Sequence, residues 1–293
     1  MMLSAPNLKF GMKRVWITGA GGLIGHQLVV TAPEFAPGIE ARGLTRRDLD
    51  LSDVAAVERA FVAENPEAII HCAGLTKTGE CERDPALARR LNVEVTAHLA
   101  RLAADIPFFF FSTDLVFDGA RGGYVETDAV NPLNVYGATK AEAERLVLTN
   151  PRHTVIRTSL NGGRSPSGNR GFNEETRLAW EAGKALTLFT DEFRCPIPAV
   201  VTARAVWELV RQRATGIFHV AGGARLSRWE IGQLLAKRWP GVAARMIPGA
   251  LRDYTGPRRA PDTSFDCAKA QALLSFRLPG LGEWLVANPD APF

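Results

Sequence analysis

Residues 14–25 read RVWITGAGGLIG, and this stretch decides the fold. The apolar run Arg14–Thr18 has the length and composition of a buried strand. It passes directly into Gly19, Gly22 and Gly25, spaced three residues apart, and then into a helical pattern. Glycines placed so let a backbone approach a pyrophosphate without Cβ contact. The helix behind them offers unpaired N–H groups and the positive end of its dipole. A glycine string alone is common; a strand before it and a helix after it give the context in which it cradles phosphate. The expectation is a dinucleotide site on Gly19, Gly22, Leu23, Ile24 and Gly25.

Outward from that unit, strands are predicted at 40–44, 68–72, 108–112 and 155–157. Amphipathic helical segments fall at 25–31, 52–64, 85–105 and 134–148. Alternation of this kind implies right-handed βαβ units and a parallel sheet covered on both faces. The run of four phenylalanines at 108–111 suits a strand buried on both sides. The second half is less regular. Residues 162–171 (GGRSPSGNRG) read as a mobile loop, 173–183 and 199–211 as helices, and 216–220 as a short strand. Ser227 is placed as the N-cap of a helix reaching Arg238, with Glu230 completing a capping box. The predicted architecture is α/β, a doubly wound Rossmann domain with a smaller, discontinuous C-terminal lobe. The cofactor domain takes 1–160 and 190–221, and the substrate lobe takes 161–189 and 222–293. The first eleven residues read as a loose extension.

Bulk properties exclude several classes. At 293 residues, with 46 % apolar and 23 % charged residues, the chain can bury a large core. The net charge of +4 is spread along the chain, which argues against nucleic acid as a partner. Its four cysteines, at 72, 81, 195 and 267, form no CxxC pair. Neither a zinc site nor a disulfide framework is expected, and no metal. No secretory signal and no membrane-spanning run is found, so a cytoplasmic location is expected.

At the end of the second predicted strand stand Thr45, Arg46 and Arg47, with no acidic side chain in that place. An acid there would accept hydrogen bonds from the ribose 2′-hydroxyl of NAD, whereas arginine accommodates a 2′-phosphate. NADP is therefore favoured over NAD. Asp50 and Leu51 follow and are candidates to flank the adenine; Asp50 is equally a candidate cap for the helix after Ser52.

Tyr136 and Lys140 form a YxxxK pair, one helical turn apart and on one face. A free phenol, with a pKa near 10, is a slow acid–base group at neutral pH, and a neighbouring ammonium favours its ionisation. A hydroxyl at the end of the preceding strand would complete the set. Thr113 is the candidate to bond a substrate carbonyl oxygen, with Ser112 as the alternative.

Together these residues resemble the extended short-chain dehydrogenase/reductases, and among them the dTDP-4-dehydrorhamnose reductase group. The resemblance rests on 18–25, His71-Cys72-Ala73-Gly74, Leu91-Asn92-Val93, the string STDLVFDG at 112–119, Tyr124, Glu126, Asp128 and NPLNVYG at 131–137. It is strong over about 13–160 and loose beyond. It implies NADPH-dependent reduction of the C4 ketone of a nucleotide-diphosphate 4-keto-6-deoxy sugar, with Tyr136 as proton donor. Lys140 would bind the nicotinamide ribose, Ala73 and Gly74 would contact the cofactor through their backbone, and Asn92 would support that site. Ser112, Thr113 and Asp114 would face the substrate. Arg258 and Arg259 resemble the arginine–proline segment that contacts a nucleotide diphosphate, with a solvated loop as the competing reading. Arg170 and Arg194 are weaker candidates.

The chain departs from the group's pattern at Leu160-Asn161-Gly162, at Gly171-Phe172, where the group has asparagine-phenylalanine, and at 191–196, so a sugar other than the dTDP-linked rhamnose precursor is an open alternative. Two alternatives are an NAD-dependent 4-epimerase and a non-catalytic NADP-binding subunit, as in the related beta subunit of methionine adenosyltransferase. A homodimer is compatible with the resemblance. The remaining polar residues read as structural. His71 is a hydrogen-bonded core residue, Cys72 is core, Glu142 and Glu144 form a solvated helix face, and the helical tryptophans are packing anchors.

Overall fold

The computed structural model describes residues 12–293; the extension expected at the N-terminus lies outside them. In chain order, β1 (Arg14–Thr18), α1 (Leu23–Phe35), β2 (Glu40–Leu44), α2 (Val54–Glu64) and β3 (Ala68–His71) open the fold. Two short helices, α3 (Thr78–Arg83) and α4 (Pro85–Arg89), run through a π turn (Arg90–Glu94) into α5 (Val95–Leu102). Then come β4 (Phe108–Thr113), α6 (Val135–Val147), β5 (Thr154–Thr158), β6 (Asn161–Gly162), α7 (Phe172–Glu181) and β7 (Leu186–Phe189). The chain continues through β8 (Phe193–Arg194), β9 (Ile197–Pro198), α8 (Ala199–Arg211), β10 (Gly216–Val220), β11 (Leu226–Ser227) and α9 (Arg228–Arg238). It ends with β12 (Met246–Gly249), α10 (Ala268–Gln271) and α11 (Leu281–Ala287).

Six parallel strands make the central sheet in the order β10-β5-β4-β3-β1-β2. The order reverses beside β1, and a crevice opens at the carboxyl ends of the strands there, the usual place for a ligand in such a sheet. All six residues of β4 are buried. Phe109 and Phe111 join the core under α1 and α8, while Phe108 and Phe110 join the core under α2, α5 and α6. The phenylalanine run thus supplies both layers at once, as a strand covered on both faces requires.

Three sequence expectations change. The segment 85–105 is not one regular helix, because a π turn interrupts it at 90–94. The cap of α2 is Asp53, which accepts from the Ala56 N–H at 3.0 Å, while Asp50 is engaged by Ser52. The loop 162–171 is tied down. Glu174 accepts from the Ser165 N–H and hydroxyl and from the Arg170 and Gly171 N–H groups, at 2.7 to 3.0 Å. The capping box at Ser227 and Glu230 forms as expected.

Candidate active site

The first and last glycines of the loop leave no room for a side chain. Gly19 has φ +72°, and a Cβ there would stand 2.7 Å from the Ala73 nitrogen; one on Gly25 would stand 2.4 Å from the Gly19 oxygen. Gly22 begins α1 with no side-chain cap and no acid in the first turn. The helix therefore presents bare N–H groups and an unneutralised positive end to the cleft. Beneath the loop, His71 is buried between the hydroxyls of Thr18 (2.7 Å) and Thr96 (3.1 Å). Thr96 donates its proton to the Asn92 carbonyl, so His71 donates to Thr96 and accepts from Thr18. Burial lowers the His71 pKa to about 3, and the ring is a neutral structural link.

At the end of β2 the Thr45 N–H and hydroxyl both donate to Asp48, which turns that carboxylate toward its own loop. Arg46 is 86 % exposed and 3.9 Å from Asp50. Arg47 forms no ion pair among the described residues, and both arginines line the cleft with Asp50 and Leu51. Ala73 and Gly74 line its floor. Asn92 does not reach it. Its amide accepts from the Leu75 N–H (2.7 Å) and donates to the Leu75 carbonyl and the Thr139 hydroxyl (3.0 Å each). It ties the exit of β3 to α6 from behind, a supporting place rather than a contact position.

Asn134 caps α6 by accepting from the Gly137 N–H at 2.9 Å, and Glu82 accepts from the Val135 N–H at 2.7 Å. This fixes the first turn, from which Tyr136 enters the cleft that Thr113 also lines. Burial raises the Tyr136 pKa, partly offset by Thr113, so the phenol holds its proton at neutral pH. Lys140, one turn on, is 5 % exposed with its ammonium 3.9 Å above the Phe110 ring. Burial lowers its pKa from 10.5 to about 7, against the pull of Glu144. Thr113 donates to Asp114 at 3.1 Å and accepts from the Leu115 N–H at 3.2 Å. Ser112 is buried with its hydroxyl unpartnered, an orphaned polar atom at the cleft wall.

Asp114 is largely engaged by protein. It accepts from the hydroxyls of Ser159 (2.7 Å) and Thr263 (3.0 Å), with the Arg194 guanidinium 3.6 Å away. Arg194 in turn pairs with Glu192 at 3.0 Å, and Glu192 receives two hydrogen bonds from Arg259, at 2.6 and 2.9 Å. Arg259 is therefore held rather than free, while Arg258 is exposed at the rim. Arg228 joins this wall without an ion pair among the described residues, and burial lowers its pKa despite nearby Glu192. The sequence reading missed it. The capping box located the start of α9, but no local signal tells that its first side chain turns toward a cleft formed by distant segments.

Glu144 is a correction. It is buried at 3 % exposure and paired with Arg157, not solvated, because β5 brings a guanidinium under α6 from 13 positions along the chain. The sequence readings of His71 and of Trp207, whose indole N–H donates to the Leu28 carbonyl at 3.0 Å, agree with the structure. Among the described residues no group of three or more His, Cys, Asp or Glu could hold a metal, and the four cysteines are unpaired. No helix among them is long and apolar enough to cross a membrane.

Residues 12–286 match the family described as the RmlD substrate binding domain. A dTDP-4-dehydrorhamnose reductase of Sinorhizobium fredii is 30 % identical over 285 residues, covering 92 % of this chain and 94 % of that protein. The methionine adenosyltransferase 2 subunit beta of Bos taurus is 27 % identical, covering 89 % of this chain and 82 % of that one. In fold, the chain is similar to the dTDP-4-dehydrorhamnose reductase of Bacillus anthracis solved in complex with NADP. The TM-score is 0.85 at 23 % identity, over 94 % of this chain and 98 % of that one. With the family matched over nearly the whole described chain, this protein belongs to the RmlD substrate binding domain family.

Proposed function

We propose that this protein uses NADPH to reduce the C4 ketone of a nucleotide-linked 4-keto-6-deoxy sugar, with Tyr136 as the proton donor. One observation carries the reading. Thr113, Tyr136 and Lys140 converge in the same cleft, of 1710 Å³, that the glycine loop and Arg46 and Arg47 open onto. The relative from Sinorhizobium fredii bears the name of that reductase activity.

The residues fit a phosphorylated dinucleotide. A tight glycine turn, an uncapped helix start and two arginines near the β2 end suit its three phosphates. The unpartnered Ser112 hydroxyl is a polar group waiting for a ligand atom. When bound, the reduced nicotinamide supplies the hydride. Tyr136 holds a proton at its phenol oxygen and gives it to the nascent C4 alkoxide. Thr113, which lines the same cleft, would hold the substrate oxygen beside it. Lys140 favours the phenolate left behind, since a nearby cation lowers a phenol's pKa. Arg228 and Arg258, together with Arg259 in its Glu192 clamp, give the far wall the positive charge that a diphosphate needs. The parallel pairing of β7 with β12 supports assigning 161–189 and 222–293 to one substrate-binding half. Unpaired cysteines suit a cytoplasmic location.

The test is NADPH consumption against a panel of nucleotide-linked 4-keto-6-deoxy sugars, with Tyr136→Phe alongside. Turnover that collapses about 10²- to 10⁴-fold in the variant supports the reading. The second reading, an NADP-binding subunit without turnover, is favoured by the likeness to methionine adenosyltransferase 2 subunit beta. It would be preferred if NADPH binds tightly and every sugar is left untouched.

A further inference from the structure

Helix α6 carries three ionisable side chains in one stripe, Tyr136, Lys140 and Glu144, each four residues from the next. That spacing puts them on one side of the helix. The first two line the cleft. Glu144 instead meets Arg157 of β5, with Nη2 2.7 Å from one carboxylate oxygen and Nε 3.1 and 3.2 Å from the two. Both side chains are nearly sealed from solvent, at 3 % and 4 % exposure. Arg157 is held on its other side by the Glu126 carbonyl and by His219, and its guanidinium lies over the Phe117 ring. In the sheet its neighbour on β4 is Ser112, the residue before Thr113. The pair thus ties the helix bearing Tyr136 and Lys140 to the strand beside Thr113, one turn from the ammonium.

A buried ion pair contributes little net stability, because desolvating both charges offsets their attraction. Its place here points to another role. The ionisable groups facing Lys140 are His71 and Cys72 at the end of β3, and Tyr136 and Glu144 on its own helix, with Arg157 of β5 behind Glu144. Burial keeps His71 neutral and keeps the Cys72 thiol and Tyr136 phenol protonated. Glu144 and Arg157 are left as the charged neighbours.

We infer that Glu144, locked by Arg157, is the positioning residue for Lys140: the pair fixes the turn from which the ammonium enters the cleft and sets a partly neutralised negative charge behind it. The inference rests on the proposed role of Lys140 in the cleft, and its test follows the lysine itself rather than turnover. Reductive ¹³C-dimethylation of the full chain gives one NMR signal for each lysine, and Lys140→Arg identifies the signal from position 140. In the unsubstituted protein it titrates near 7, far below surface lysines. Glu144→Gln leaves Arg157 uncompensated and lowers that midpoint by about one pH unit; Arg157→Gln leaves Glu144 uncompensated and raises it by about as much. The exchanged pair, Glu144→Arg with Arg157→Glu, keeps the attraction but puts the cation on the helix, and again lowers the midpoint. This exchange decides the matter if a single variant does not fold. Midpoints that stay put, or that all rise together because water has entered, overturn the inference. Shifts in opposite directions in a protein that reduces no sugar would uphold it while the reductase reading fails.

Discussion

Gly137 lies against Leu115: a Cβ on Gly137 would stand 2.2 Å from the Leu115 carbonyl oxygen. This backbone contact brings the first turn of α6 down onto the loop after β4, and so brings Tyr136 to Thr113. Gly137→Ala must push the two apart. Overpacking of this kind costs about 1–3 kcal/mol. The melting temperature should drop accordingly, and turnover should fall by about 10²-fold, since a displacement near 1 Å is enough for that. Unchanged turnover with lowered stability would mean that the helix start does not position the phenol.

Arg46 and Arg47 meet the cleft without a buried carboxylate partner. Replacing both with alanine should weaken NADPH binding about tenfold or more, the worth of one charge-assisted hydrogen bond. NADH binding should change little. Calorimetric titration with both cofactors checks this, and equal losses for the two would remove the arginines from 2′-phosphate recognition.

The Lys140 midpoint is lowered from 10.5 to about 7, with burial as the main cause. Between those values the unfolded chain holds the proton and the folded chain does not. From this group, stability therefore rises as pH climbs through that window. Below it, the folded protein carries a buried ammonium. Lys140→Met should raise the melting temperature at pH 6 and leave it nearly unchanged at pH 10.5, while abolishing turnover. A gain of the same size at both pH values would show that lost charge burial is not its origin.

Glu174 gathers four donors from the loop below the cleft. Glu174→Ala leaves them without an acceptor, at a cost of about 1–3 kcal/mol. Amide exchange at Ser165, Arg170 and Gly171 should speed up by at least about tenfold, and KM should rise more than kcat falls. Protected amides in the variant would mean that packing alone holds the loop.

Much of the first half of the fold was legible in the chain. The passage from Arg14–Thr18 into Gly19, Gly22 and Gly25 predicts β1, the turn and α1 because each of these is a local preference of consecutive residues. The four phenylalanines read as a doubly buried strand for the same reason, and helical spacing alone puts Tyr136 and Lys140 on one face.

Tertiary structure decided the rest. Glu144 reads as solvated until β5 delivers Arg157 beneath it, and nothing near Asp114 in the chain announces Ser159, Thr263 and Arg194, which reach it from three later segments. Arg228 gains meaning only where its helix start closes a wall with Glu192 and Arg259. Local sequence determined the strands, the glycine turn and the helix that carries Tyr136 and Lys140, since backbone preference and side-chain period act over a few residues. Whether a charge is buried, paired or open to a ligand depends on segments far apart in the chain, and only the folded molecule brings those together.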